Sequence, residues 1–138
     1  MDRHVLLLGA GRPIALTLRL GRSGYYVPTV ISKYIETLAG NDPNLTVVIV
    51  NADGTYFGSA DGKFVVSALK SSGHRNVFMS ALESDDGNGF SEIAGVARQK
   101  IDTSTTNAEA LKTMEKDNLS KLVAVSSDNQ PRGLVFRD

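Results

Sequence analysis

With 138 residues, 41% of them hydrophobic, the chain is long enough for one domain or two small units that share a core. Its 15 Lys and Arg balance 15 Asp and Glu, which argues against bulk electrostatic binding to nucleic acid or an anionic membrane. It has no cysteine, which excludes disulfides and thiolate metal sites, and no apolar run approaches the roughly 20 residues that cross a bilayer.

Residues 5–8 form a short apolar run, too short for a signal peptide and without a cleavage site after it, so the expected setting is cytoplasmic. Gly9, Ala10, Gly11, Arg12 and Pro13 end that run as a turn. Residues 14–20 alternate in part and predict a second strand, closed by the turn cluster at 21–24. Tyr25, Tyr26 and Val27 favour extended structure and stop at Pro28. Thr29 is positioned to cap a helix whose apolar residues, Val30, Ile31, Tyr34, Ile35 and Leu38, fall at helical spacing.

Residues 45–50 read as a buried strand, Asp53-Gly54 as a hairpin turn and 55–60 as the return strand. Asp61 then reads as the N-cap of a helix over 63–72, with Phe64, Val65, Ala68 and Leu69 on one face and Gly73 as its stop. Residues 77–79 resume an apolar run. Residues 84–89 are small, acidic or amide throughout and read as a linker, and 90–100 show helical spacing at Phe90, Ile93, Ala94 and Ala97. Thr105 or Thr106 caps a further helix whose core residues are expected at Ala108, Leu111 and Met114. Residues 122–125 and 133–136 then predict a second hairpin.

The chain repeats itself. Residues 47–58 align without a gap on 122–133: four apolar residues, a polar turn, and a short second strand with Gly58 or Gly133 at the same place. The helical stretches at 29–38 and 105–114 superpose with an offset one residue larger. Two copies of one small α/β unit are therefore expected.

Helix, buried strand, Asp-Gly or Asp-Asn turn, glycine-bearing strand and helix, in that order and twice, resemble the CBS domain. The tandem arrangement is similar to a CBS pair, or Bateman module. The resemblance covers residues 25–138 and rests on 29–35 with 47–58, and on 106–114 with 122–138. It implies an α/β (α+β) fold of two small sheets with flanking helices, related by a pseudo-twofold axis. It divides the chain into an unassigned N-terminal β segment (1–24), a first unit (25–83), a linker and helix (84–100), and a second unit (101–138). The chain reaches Asp138 where the first copy begins its second helix, so a last helix is expected to be missing, leaving apolar surface for a homodimer.

The same resemblance implies a non-catalytic regulatory module that senses an adenosine-containing ligand, such as AMP, ATP or S-adenosylmethionine, or mediates dimerisation. The partner is then an attached or separate enzyme or transporter. The family's nucleotide signature ends in a hydroxyl residue and, three positions on, an Asp that grips the ribose hydroxyls. Here Asp61 stands at the hydroxyl position and Phe64 at the carboxylate position. In the second copy Phe136 holds the hydroxyl position and the carboxylate position lies past Asp138. Neither copy carries the complete clamp, and the Asp61 carboxylate is expected to cap backbone N–H groups instead. By family position, Tyr26, Val27, Lys63, Arg132 and Arg137 also fall next to the clefts.

Two rival readings exist. Gly9-Ala10-Gly11 after a strand suggests a nucleotide-binding enzyme fragment, but Ile14 occupies the place of the third small residue and Pro13 the helix start. The hairpin at 48–58 also suits a PAS-like sensor, a single fold that does not predict a second copy. His4 and His74 lack neighbours at ligand spacing, Asp85-Asp86-Gly87-Asn88 lacks the alternation and closing Glu of a calcium loop, and no serine belongs to a hydrolase elbow. No catalysis and no metal are expected.

Overall fold

The computed structural model describes residues 5–8, 12–22, 24–42, 44–93 and 95–136. Gly9-Ala10-Gly11, His4 and Arg137 lie outside them. Strands β1 (Val5–Leu8), β2 (Arg12–Arg19), β3 (Thr46–Val50) and β4 (Tyr56–Asp61) form one sheet in that order. Strands β5 (Lys100–Asp102), β6 (Lys121–Val125) and β7 (Pro131–Phe136) form the other. Helix α1 (Pro28–Asn41) links β2 to β3, while α2 (Gly62–Lys70) and α3 (Ser72–Glu83) follow β4. Helix α4 (Asn107–Lys116) links β5 to β6.

Each sheet carries the same unit. β2 runs parallel to β3, which runs antiparallel to β4, and β5, β6 and β7 repeat the pattern. The correspondence extends to defects. Each hairpin shifts register at the same place, between Ile49 and Val50 and between Ala124 and Val125. The left-handed turn residue is Gly54 (φ 89°) in one and Asn129 (φ 63°) in the other, types that tolerate this conformation. Strand β2, which the sequence reading set apart with residues 1–24, is the parallel neighbour of β3, as β5 is of β6.

Residues 47–50 of β3 read as a continuous apolar run because both faces of the strand are covered. Val47 and Ile49 join the core beneath the helices, with Leu16, Leu18, Ile31, Ile35 and Leu69. Val48 and Val50 point the other way and meet Val123, Val125 and Leu134 of the second sheet, with Ala15 and Tyr56. The two sheets thus pack face to face, and repeat-equivalent residues (Val48 and Val123, Val50 and Val125) meet in one cluster, as a pseudo-twofold relation requires. Leu69 and Met114 are both buried.

Several local expectations give way to tertiary structure. Tyr25, Tyr26 and Val27 form a turn, not a strand. Val27 is the N-cap of α1 and Pro28 its first residue, a position that suits proline because the missing N–H has no helical partner there. Thr29 therefore does not cap. The helix after β4 breaks at Ser71, and Gly73 lies inside α3, a helix the sequence reading did not recognise. Phe78, Met79, Ala81 and Leu82 bury its inner face, and that burial outweighs the glycine. Residues 90–100 are not a regular helix but a 3-10 turn (Asn88–Glu92), an extended stretch and β5, because Ala97 pairs with Ser59 and Lys100 with Val123. In α4 the Thr106–Glu109 capping box sets the helix phase, so Ala110 and Met114 are buried while Ala108 and Leu111 face outward.

The hairpins are sensitive to acid. The Thr55 hydroxyl and amide donate to Asp53 at 2.6 and 3.0 Å, and the Ser126 hydroxyl donates to the repeat-equivalent Asp128. These bonds hold both carboxyls below the usual aspartate value of 3.8. A folded pKa below the unfolded one contributes stability that is present above the unfolded value and is lost as pH falls through the folded value. Carboxyl-carbon NMR is expected to place both midpoints below 3.8 and to show hairpin amides shifting with them; a midpoint at or above 3.8 would contradict the turn bonds.

Candidate functional site

The junction between the units is built from backbone first. Ser59 and Ala97 exchange N–H···O bonds of 2.8 Å, laying residues 95–99 across β4. Gly58 makes room for this crossing, since a Cβ there would come within 2.9 Å of the Ala97 carbonyl oxygen. The Tyr56 hydroxyl donates to the Gln99 carbonyl at 3.0 Å, and burial pushes its pKa up. The Arg98 guanidinium lies 3.8 Å from the centre of the Phe57 ring and donates to the Phe57 carbonyl at 2.5 Å. From the second hairpin, Asn129 accepts the Tyr56 N–H at 2.8 Å through its backbone carbonyl.

Where β4 passes into α2, this junction leaves a cleft of about 170 Å³. Ser59, Ala60 and Asp61 form one wall, Gly95 and Ala97 a second, and the α4–β6 loop with Lys121 a third. The Lys121 ammonium meets the Asp61 carboxylate at 2.5 Å across it. The lysine side chain is 17% exposed and the aspartate 67%, so the acidic end of the pair is the one that faces solvent. Asp61 is the N-cap residue of α2, but its side chain makes no capping hydrogen bond, contrary to the expectation from sequence. Pairing with a cation from the other unit takes its place. The N–H groups opening α2 also favour negative charge at this corner.

The remaining residues named from the sequence are scattered. Phe64 lies one helical turn into α2, its ring against the backbone of Gly95, which itself lines the cleft. Lys63 is exposed beside it. Tyr26 is buried in the first unit's core, where its hydroxyl accepts the Arg19 N–H at 3.0 Å, and Val27 is exposed at the start of α1. Arg132 is exposed on β7, close enough to Asp128 to help hold its carboxyl down. Phe136 packs against the inter-sheet cluster at the position equivalent to Asp61. Of the residues named from the sequence, only Asp61 lines the cleft; Phe64 stands behind Gly95, and Tyr26, Val27, Lys63, Arg132 and Phe136 lie outside the lining.

Sequence reasoning missed Lys121, Asn118 and Ser120. Asn118 has a left-handed backbone (φ 54°), and this turn brings the start of β6 to the cleft. The only signal was that Lys121 begins the second copy's buried strand, at the place of Thr46 in the first. Among the described residues, no group of three or more His, Cys, Asp or Glu side chains could hold a metal ion, and no helix is long and apolar enough to cross a membrane.

No family model matches the chain, and no curated protein matches it in sequence. Solved structures do share its fold. The CBS domain pair of protein MJ0100, solved with 5′-methylthioadenosine and S-adenosyl-L-methionine, is 14% identical with a TM-score of 0.53, over 93% of this chain and 84% of that one. CBSX2 in complex with AMP is 11% identical with a TM-score of 0.53, over 88% and 80%. The CBS domains of a transcriptional regulator from Streptococcus pneumoniae are 15% identical with a TM-score of 0.51, over 88% and 82%. The fold is that of a CBS domain pair.

Proposed function

We propose that this CBS-pair fold serves as a non-catalytic regulatory module, in a cytoplasmic setting, whose inter-unit cleft takes an adenosine-containing ligand weakly. The observation that carries this reading is the cleft between the end of β4 and the start of β6, lined by the paired Asp61 and Lys121. AMP, ATP and S-adenosylmethionine are the ligands to test, because two of the similar folds were solved with adenosyl compounds. A phosphate or carboxylate on such a ligand would displace Asp61 from Lys121. Asp61 is the contact proposed on the first unit's side and Lys121 that of the second, while Lys63, Phe64, Phe136 and Arg137 are proposed from family position alone.

Weak binding is expected because Phe64 stands where the family's ribose-gripping carboxylate would be, and a phenyl ring accepts neither hydroxyl hydrogen bond. Calorimetry should give a dissociation constant no tighter than about 10 µM, near 7 kcal/mol. It should weaken further in Lys121→Ala. Micromolar AMP or ATP binding that Asp61→Ala abolishes would contradict the weakness, and no heat from any of the three ligands at millimolar concentration would sink the adenosyl reading.

We further propose that the module works as a homodimer attached to, or partnered with, a larger enzyme or transporter. Leu111 of α4 is 39% exposed, and Val27 and Val30 of α1 are 51% and 57% exposed. Apolar side chains left on helix surfaces favour association. Light scattering at tens of micromolar is expected to give twice the 14.8 kDa chain mass; a monomer mass would refute the dimer.

A further inference from the structure

A second hollow lies on the helical side of the first unit. The chain turns at Ser71 between α2 and α3, and the segment after the 3-10 turn comes back across the opening between them. What remains is a cavity of about 540 Å³. Its walls are Phe64 and Ala68 of α2, Val77 and Phe78 of α3, and Ile93 of the returning segment. Gly95 belongs to this wall and to the cleft's as well, with the Phe64 ring laid against it, so one ring and one glycine partition the two spaces.

We propose that this hollow binds a compact fused-ring aromatic molecule bearing one hydrogen-bonding head, independently of the adenosyl ligand proposed for the cleft. The size is that of ligand sites, which span about 300–1,000 Å³, and is over three times the about 150 Å³ that holds a single benzene ring. Two aromatic rings, Phe64 and Phe78, stand in the wall, and aromatic pairs gain from edge-on or offset contact beyond their burial. Val77 is 47% exposed at the rim, an exposed branched hydrophobe that an occupant would cover. Polar capacity is sparse and one-sided. The Ser67 hydroxyl makes no hydrogen bond with another described residue, and His74 uses Nδ1 on the Ser71 hydroxyl at 2.9 Å, which leaves Nε2 for a ligand. An apolar body with one hydroxyl head matches that pattern. A ribose or a triphosphate does not, because Ser67 and His74 are the only polar side chains in the described lining for its many polar atoms.

The test uses 2-naphthol on the full chain, followed by saturation-transfer NMR and thermal shift. Saturable binding and a rise in melting temperature are expected, and naphthalene, which lacks the head, should bind about fivefold more weakly, the worth of one net hydrogen bond. Val77→Trp fills the hollow from its exposed rim and Ser67→Leu fills it from the exposed side of α2; each should weaken 2-naphthol at least tenfold. Lys121→Ala, in the cleft, should leave it unchanged. The proposal is overturned if 2-naphthol shows no saturable binding at millimolar concentration, if binding survives both filling variants, or if Lys121→Ala abolishes it.

Discussion

Phe64→Asp is expected to tighten AMP binding by about 10- to 100-fold, or about 1.4 to 2.8 kcal/mol. The substitution sets a carboxylate at the position where the similar family grips the ribose. Each hydroxyl bond to a charged acceptor contributes about 1.5–3 kcal/mol. The net gain falls short of two such bonds because Asp61 lies three residues earlier on the same helix turn, and like charges at that spacing oppose each other. Removing the ring also uncovers Gly95 and opens the cleft toward the neighbouring hollow, giving the ribose room. 2′-Deoxy-AMP separates this cause from a general opening of the site. The gain should shrink by at least fivefold when one hydroxyl is missing. An equal gain for both nucleotides, or none for AMP, would show that Phe64 does not occupy the ribose position. Thermal denaturation of the variant checks that it folds.

Ile35→Ala is expected to cost about 4 kcal/mol of stability, and Met114→Ala about 2–3 kcal/mol. The two positions are equivalent when the helices are aligned on their caps, Val27 and Thr106, and each lies one turn beyond another buried residue, Ile31 or Ala110. Ile35 is fully buried in the large core where α1 meets α2, so its removal leaves a void with little freedom to collapse. Met114 belongs to a small cluster with Ala110 and Leu122, edged by the half-buried Ile101, Leu119 and Val135. No second helix among the described residues covers that cluster, so neighbours and water can close over the gap. Urea unfolding with an unchanged denaturant slope reads the difference directly. Equal losses would show that the second unit's core is as tightly confined as the first.

Cap alignment also explains why the repeat was visible in the hairpins and blurred in the helices. The hairpins keep an offset of 75 residues through β3, the turn and β4, down to the register shift and the left-handed residue. The helix caps differ by 79, because α4 is 10 residues long and α1 is 14. The sequence reading placed them at 76, since it took Thr29 in place of Val27 as the first cap and began the second helix at Thr105. That slip put Ala108 and Leu111 in the core, where the Thr106 capping box instead buries Ala110.

What the residues determine by themselves is the part governed by local pattern. The runs at 47–50 and 122–125 are apolar because strands buried on both faces must be, and Gly54 and Asn129 stand where a tight turn needs a left-handed backbone. The gapless repeat of those features carries the two-unit fold. The tertiary structure alone decided which surfaces meet. Asp61 could have capped α2, as its position suggests, but the folded chain brings Lys121 from 60 residues away, and an opposite charge at 2.5 Å claims the carboxylate. The hollow beside Phe64 was equally hidden, since Gly73 read as a helix stop rather than part of α3, and 90–100 looked helical although Ala97 pairs with Ser59 and Lys100 with Val123. Contacts between residues distant in sequence carry no periodicity, so a single chain does not display them until it is folded.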